Sequence, residues 1–127
     1  MRYPGAEDRL NPVTPQGVTD DTLGGYLRVH GRAAAFQGYD GEPYTAAVET
    51  DDTGDAERPH AAYLVFIRWA QTGTAVMGHL ETGDLVAAAS EEEAREALER
   101  LSLAEVRALL DDTIRARRGE DGERADG

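Results

Sequence analysis

The chain has 127 residues, a single-domain length, and 40 % of them are hydrophobic, which suffices for one core. It has no cysteine, which excludes disulfide bonds, thiolate metal sites and cysteine nucleophiles. Its formal net charge of −12 argues against nonspecific nucleic-acid binding, because phosphate contacts require clustered cations.

Proline, glycine and scattered charges dominate residues 1–25, and this composition predicts a mostly irregular arm. The arm lacks the apolar segment of a signal peptide, and no apolar run in the chain approaches the roughly 18 to 20 residues of a membrane span. We therefore expect a cytoplasmic protein that binds neither a membrane nor nucleic acid.

A two-fold pattern begins at Tyr26 and predicts the first strand. Leu27 and Val29 would lie on its apolar side. The polar side would carry the tyrosine and three cationic or titratable residues, Arg28, His30 and Arg32.

The Asp40-Gly41 pair predicts a hairpin turn, because glycine accepts the positive φ of tight turns, and Tyr44–Thr50 is expected to form the second strand. The following segment, residues 49–60, combines five carboxylates with one glycine and one proline and predicts a solvated, mobile loop. Its spacing does not match an EF-hand calcium loop, so we predict no metal there.

The strongest core signal is the stretch Ala61–Thr82, which predicts two strands joined by a turn at residues 71–74. The first of these strands, the third of the chain, is apolar on both sides and should be central. One side carries Tyr63, Val65, Ile67 and Trp69, and the other carries Leu64 and Phe66. The fourth strand should end at Gly83-Asp84, and Leu85–Ala88 should lead into helix.

Two capping boxes predict two helices. Ser90 precedes Glu93 by three residues and Ser102 precedes Glu105 by three, so each serine can cap the glutamate N–H while the glutamate reaches back. N-caps twelve residues apart imply a sharp corner near Ser102. The second helix should end before Gly119, where basic side chains give way to glycine.

These elements predict an α+β protein: a four-stranded antiparallel meander followed by two short helices packed on one sheet face. Residues 26–118 would form the single domain, and residues 119–127 would be a disordered acidic tail.

The predicted strands suggest one candidate ligand site. If Leu27, Val29, Val76 and Leu80 face the helices, the opposite sheet face collects a cationic cluster. Its members would be Arg28, His30, Arg32, Arg68, His79 and Glu81. Arginine and histidine in such a cluster can hold a carboxylate or phosphate, or serve as acid and base. The competing interpretation is that these side chains are solvated and paired with their neighbours.

The predicted sheet also suggests a partner surface. Two helices can cover only one face of the central strand, so the other face should leave Tyr63, Trp69 or their neighbours on the opposite side partly exposed. A homodimer through that open face, another protein partner, or cover by the arm 1–25 would bury them.

The sequence predicts no catalytic residue, no cofactor and no metal, since both serines serve as helix caps and no phosphate-binding glycine loop occurs. The leading hypothesis is a non-enzymatic protein-interaction or regulatory domain. The alternative is a small domain that binds an anionic ligand, or a modest acid–base enzyme, using the His/Arg/Glu cluster.

Overall fold

The computed structural model describes residues 19–126, with side chains described as far as Gly119. The predicted α+β class is confirmed: the described residues form an antiparallel sheet with helices packed on it. In chain order, the elements are α1 (Leu23–His30), β1 (Ala35–Gln37), β2 (Pro43–Asp52), β3 (His60–Trp69), β4 (Val76–Glu81), β5 (Val86–Ala88), α2 (Glu91–Glu99) and α3 (Leu103–Asp126).

The sheet has the order β1-β2-β3-β4, and every pairing is antiparallel. The predicted central strand, β3, pairs with β2 from His60 to Arg68, and two short strands pair with its other side. β4 pairs with residues 65–69 and β5 with residues 60–62. β5 was not predicted, because residues 85–88 were expected to lead directly into helix.

Strand parity gives the sheet two different faces, because successive side chains point to opposite sides. Even-numbered residues of β2 and β3 are buried beneath the helices: Tyr44, Ala46, Val48, Ala62, Leu64 and Phe66. From the helices, the core receives Leu23, Ala94, Leu98, Val106, Leu110 and Ile114. The odd-numbered residues of β2 and β3 lie on the side that no described helix covers, which we call the open face.

Both predicted helix caps are present. Ser90 Oγ accepts from Glu93 N at 3.1 Å and also donates to the Glu93 carboxylate at 3.2 Å. At the second cap the exchange is reciprocal: Ser102 Oγ accepts from Glu105 N at 3.0 Å, and Glu105 Oε1 accepts from Ser102 N at 2.8 Å. The predicted corner between the two helices therefore lies at residues 100–102, as expected from the capping boxes.

The predicted first strand is wrong, because residues 23–30 form the helix α1. The Thr22 hydroxyl caps it by accepting from Gly25 N at 3.0 Å, and Gly31 ends it with a φ of 68°. Leu23 N also donates to Leu101 O at 2.9 Å, which attaches α1 to the helix corner. Leu27 is consequently 48 % exposed instead of facing the core.

A close approach between helices explains the first glycine of the pair in α1. A Cβ on Gly24 would stand 2.7 Å from Glu99 Cβ, a separation that side chains do not adopt, so glycine allows α1 to pack on α2. The sequence pattern carried no sign of this tertiary contact, and the contact selects helix over strand here.

The ends of the chain differ from prediction where they are described. α3 continues past Gly119 to Asp126, so the prediction that it ends before Gly119 is wrong. Of the arm 1–25, only residues 19–25 are described, and 23–25 of these belong to α1. The remainder of the predicted arm lies outside the described residues.

Residues 53–59 of the acidic segment form the hairpin loop between β2 and β3, whereas residues 49–52 belong to β2 and His60 to β3, so the loop is shorter than predicted. Residues 51–58 are all exposed, in agreement with the predicted solvation. Local hydrogen bonds shape the loop: Thr53 Oγ1 donates to Arg58 O at 2.7 Å and accepts from Asp55 N at 2.9 Å. Its mobility stays a prediction.

Candidate functional site

The predicted cluster of six ligand-binding residues is not assembled on one sheet face. Arg28 and His30 belong to α1 and Arg32 follows it, so the parity argument that placed these three on a strand is wrong. Arg28 pairs with Glu99 at 3.5 Å and His30 with Asp20 at 3.2 Å. Arg32 donates to the Tyr26 hydroxyl at 3.4 Å. Whether any of them binds a ligand stays a prediction.

The three remaining members of the predicted cluster lie on different faces. His79 and Glu81 are on the open face, 3.4 Å apart, with side chains 60 % and 51 % exposed. Arg68 has even parity in β3 and therefore points to the helix-covered side, where it donates to Met77 O at 3.3 Å. The structure thus keeps one predicted pair and separates the arginine from it.

Val76 is also placed differently from the prediction. The β3–β4 register shifts between Arg68 and Trp69, so Val76 pairs with Trp69. This shift turns Val76 away from the helices and leaves it 59 % exposed, whereas Leu80 packs against the core as predicted.

The open face carries a partly exposed apolar stripe along β3. Tyr63, Val65, Ile67 and Trp69 are each half-buried, as the two-sided apolar pattern predicted. The Trp69 indole donates to Thr45 Oγ1 at 3.0 Å, which fixes the ring against β2. Beside it lies a shallow apolar hollow of about 250 Å³, which Ala35, Pro43 and Gly73 help to line.

Carboxylates border the other end of this stripe. Glu49 is directly opposite Tyr63, Asp51 is opposite Ala61, and Glu81 is opposite Val65. Partial desolvation, reinforced by the negative charges of these carboxylates and Asp84, raises the pKa of Tyr63 above its usual value. None of the strand residues that the structure describes on this face is an arginine. The open face is therefore apolar at one end and anionic at the other.

A second concave feature lies on the helix side, between the β3–β4 end of the sheet and α3. It is a cleft of about 490 Å³ whose lining includes Asp40, Tyr44, Arg68, Ile114, Arg117 and Arg118. We call it the arginine cleft. The sequence interpretation missed it, because basic side chains just before Gly119 indicate only a favourable charge at a helix C-terminus.

Helical spacing explains why these arginines reach the cleft. Val106, Leu110 and Ile114 recur every four residues and face the core. The positions three and four residues after Ile114 continue the same stripe, but the sheet has ended there, and the stripe changes from apolar to cationic. In the sequence, the position of the two arginines on the same helical stripe as the apolar residues was the sign that they would lie at the edge of the core.

A tyrosine–carboxylate pair forms the inner wall of the arginine cleft. Tyr44 is 3 % exposed, and its hydroxyl donates to Asp40 Oδ2 at 2.8 Å. Burial is the main cause that raises the pKa of Tyr44 well above its usual value, and the hydrogen bond to Asp40 raises it further. The phenol is therefore protonated throughout the neutral range and acts as a donor.

Among the described residues, no group of three histidine or carboxylate side chains is arranged to hold a metal ion. No helix in the described part of the chain is both long and apolar enough to cross a membrane. Comparison with protein-family models, curated proteins and solved structures finds no match.

Proposed function

We propose that the chain is a non-enzymatic protein-interaction module whose open face binds a partner segment with basic and apolar side chains. The observation that supports this proposal is the half-buried stripe of Tyr63, Val65, Ile67 and Trp69 with carboxylates at one end. Aromatic and aliphatic side chains exposed together on one face are typical of binding surfaces.

The described helices all pack on the other side of the sheet, so this is the face that they leave uncovered. Covering the stripe removes apolar area from water, which is worth about 25 cal/mol per Å² before the costs of association. Trp69 and Tyr63 are residue types that often dominate binding energy, and Trp69 is already oriented by its bond to Thr45. The stripe can therefore supply affinity without rearrangement of the sheet.

The carboxylates determine which kind of partner segment binds. Glu49, Asp51 and Glu81 favour a cationic segment and repel an anionic one, and rim charges act mainly on association rate and specificity. A second copy of this chain is a poorer occupant, because self-association would bring two sets of carboxylates towards one interface. The predicted homodimer is accordingly an outcome of the test below.

The alternative prediction, a ligand-binding or acid–base cluster on the sheet face, has lost its structural support. Three of its six residues belong to α1 or follow it, and Arg68 points to the other side of the sheet. The His79–Glu81 pair is left on an open, well-solvated surface.

The test is a titration of the full-length protein with a short peptide of alternating arginine and valine, followed by backbone amide NMR shifts. We expect saturable shifts on the odd-numbered residues of β2 and β3, and weaker or no binding of the same peptide with glutamate for arginine. A Tyr63→Ser/Ile67→Ser variant should lose binding, and the control Tyr39→Ser, altered outside the open face, should retain it. Equal response to both peptides would contradict the proposal.

Self-association is measured on the same samples by sedimentation. A tight dimer that buries the open face and excludes the basic peptide would replace the proposed partner with a second copy of the chain.

A further inference from the structure

We infer that the arginine cleft binds a small phosphate-bearing molecule through Arg68, Arg117 and Arg118. This site lies apart from the proposed partner surface: it opens on the helix side of the sheet and meets the open face only at β4. The two proposals rest on different residues, so the failure of one leaves the other standing.

Arg68 is held in place by β4, the strand next to its own. Its Nη2 donates to Met77 O at 3.3 Å, and its guanidinium lies over Gly78, whose φ of 157° is a conformation that L side chains rarely adopt. Its nearest carboxylate is Glu42 at 4.0 Å, and the side chain is still 39 % exposed. A guanidinium has five N–H donors, so a group fixed in this way keeps donors for a ligand.

The α3 side of the cleft is braced by an aromatic ring. Arg118 and Arg115 stand 5.3 Å and 4.9 Å from the centre of the Tyr39 ring. Tyr39 is itself attached to α3, because its backbone N–H donates to Asp111 Oδ1 at 2.9 Å. These contacts position the cations with less loss of side-chain freedom on binding.

Charge in the cleft favours an anion although the whole chain carries −12. Asp40 is the carboxylate in the described lining, against three arginines. Both of its oxygens are occupied: Oδ1 accepts from Glu42 N at 3.0 Å and Oδ2 accepts from Tyr44 at 2.8 Å. Asp40 is thus hydrogen-bonded within the wall, and Arg68 and Arg118 present cationic groups to the cleft.

The shape indicates the class of anion. Several guanidinium groups around one concavity can donate to different oxygens of a tetrahedral phosphate, whereas a planar carboxylate is satisfied by one bidentate arginine. The volume of about 490 Å³ exceeds what a single phosphate needs, and Leu80 and Ile114 add apolar wall. Both features fit a phosphate ester or diphosphate with an organic group attached.

Calorimetry on the full-length protein tests the inference, with pyrophosphate, phenyl phosphate and citrate as probes at constant ionic strength. We expect saturable binding of the two phosphates with citrate at least tenfold weaker. Tighter binding of phenyl phosphate than of pyrophosphate would identify an ester with an apolar group as the ligand type, and the reverse order would identify a diphosphate.

The variants Arg68→Gln and Arg118→Gln should each weaken phosphate binding at least tenfold. Arg107→Gln removes the same charge from an exposed position of α3 outside the cleft, so it should change binding less than twofold. Arg68→Lys keeps the charge without the planar fork and should still lose most of the affinity. Thermal unfolding checks that each variant is folded, and Arg118→Gln carries the test if a change at Arg68 prevents folding.

Equal losses in the Arg107→Gln control and the cleft variants would show diffuse charge screening and overturn the inference. The absence of saturable heat with either phosphate would also overturn it.

Discussion

Glu49 and Tyr63 lie directly opposite each other on β2 and β3, on the sheet face that no described helix covers. A carboxylate is thus placed beside a half-buried aromatic ring at the point where the apolar stripe becomes anionic. This pairing joins the two properties that we assign to the partner surface, apolar area and negative charge.

The pairing makes Tyr63 a reporter of charge on the open face. Neutralising Glu81, Asp51 and Glu49 together, by Gln or Asn substitution, should lower the pKa of Tyr63 towards its usual value, because phenolate then forms without charge repulsion. Part of the elevation should persist, since desolvation is its largest cause. Ultraviolet or NMR titration measures this shift. The control Glu57→Gln, in the β2–β3 loop, should leave it in place, and an unchanged pKa in the triple variant would contradict the charge assignment.

The raised pKa of Tyr44 should make the folded protein less stable at alkaline pH. Its folded-state pKa is raised, so above a pH of about 10 the unfolded chain releases this proton while the folded chain keeps it, and the free energy of unfolding falls as pH rises. Tyr44→Phe should reduce this decline. Near neutral pH, Tyr44→Phe should lower the free energy of unfolding by about 1.5–3 kcal/mol, because the charged Asp40 carboxylate no longer accepts a hydrogen bond from the Tyr44 hydroxyl. Urea unfolding from pH 7 to 11 measures both effects, and an alkaline slope as steep as that of the wild type would refute this assignment.

We expect removal of the helix cap at Ser102 to destabilise the protein more than neutralisation of surface carboxylates. Ser102→Ala removes the acceptor for Glu105 N and should cost about 0.5–2 kcal/mol. Asp52→Asn/Asp55→Asn changes two exposed side chains, one at the end of β2 and one in the following loop, and should stay within about 0.5 kcal/mol. Denaturant unfolding at low and high salt compares them. A larger cost for the loop variant would show that the loop binds a ligand, most simply a cation.

Gly38 lies where the β1–β2 turn packs closely against α3, so a larger side chain there should be destabilising. A Cβ there would stand 2.7 Å from Ile114 Cδ1 and 3.1 Å from Tyr44 Cε1, so Gly38→Ala should destabilise the fold by about 1–3 kcal/mol. Gly83→Ala is the matched control, because a Cβ at Gly83 meets nothing within 4 Å. Equal thermal stability of the two variants would argue against this packing.

The sequence predicted the parts of the fold that depend on local pattern. The continuous apolar run in β3 and the capping boxes at Ser90 and Ser102 identified a central strand and two helices, because each signal is contained within a few residues. The predicted exposure of Tyr63 and Trp69 followed from the same run.

Tertiary contacts decided the elements that the sequence did not predict. Residues 26–30 alternate like a strand, yet the Thr22 cap, the Gly31 end and the contact of Gly24 with Glu99 make them part of a helix. The caps were readable in the sequence, whereas the contact was not. The register shift at Arg68/Trp69, which reverses the side taken by Val76, likewise has no local signature.

Reversing the charge of carboxylates on the open face tests whether they cause the preference for a basic partner segment. The measurement compares the affinities of wild type and Glu49→Arg/Glu81→Arg for the arginine–valine peptide and its glutamate counterpart, by NMR titration at low salt. We expect the wild type to prefer the basic peptide and the variant to prefer the acidic one, with both preferences reduced at high salt. A variant that still prefers the basic peptide would contradict the claim.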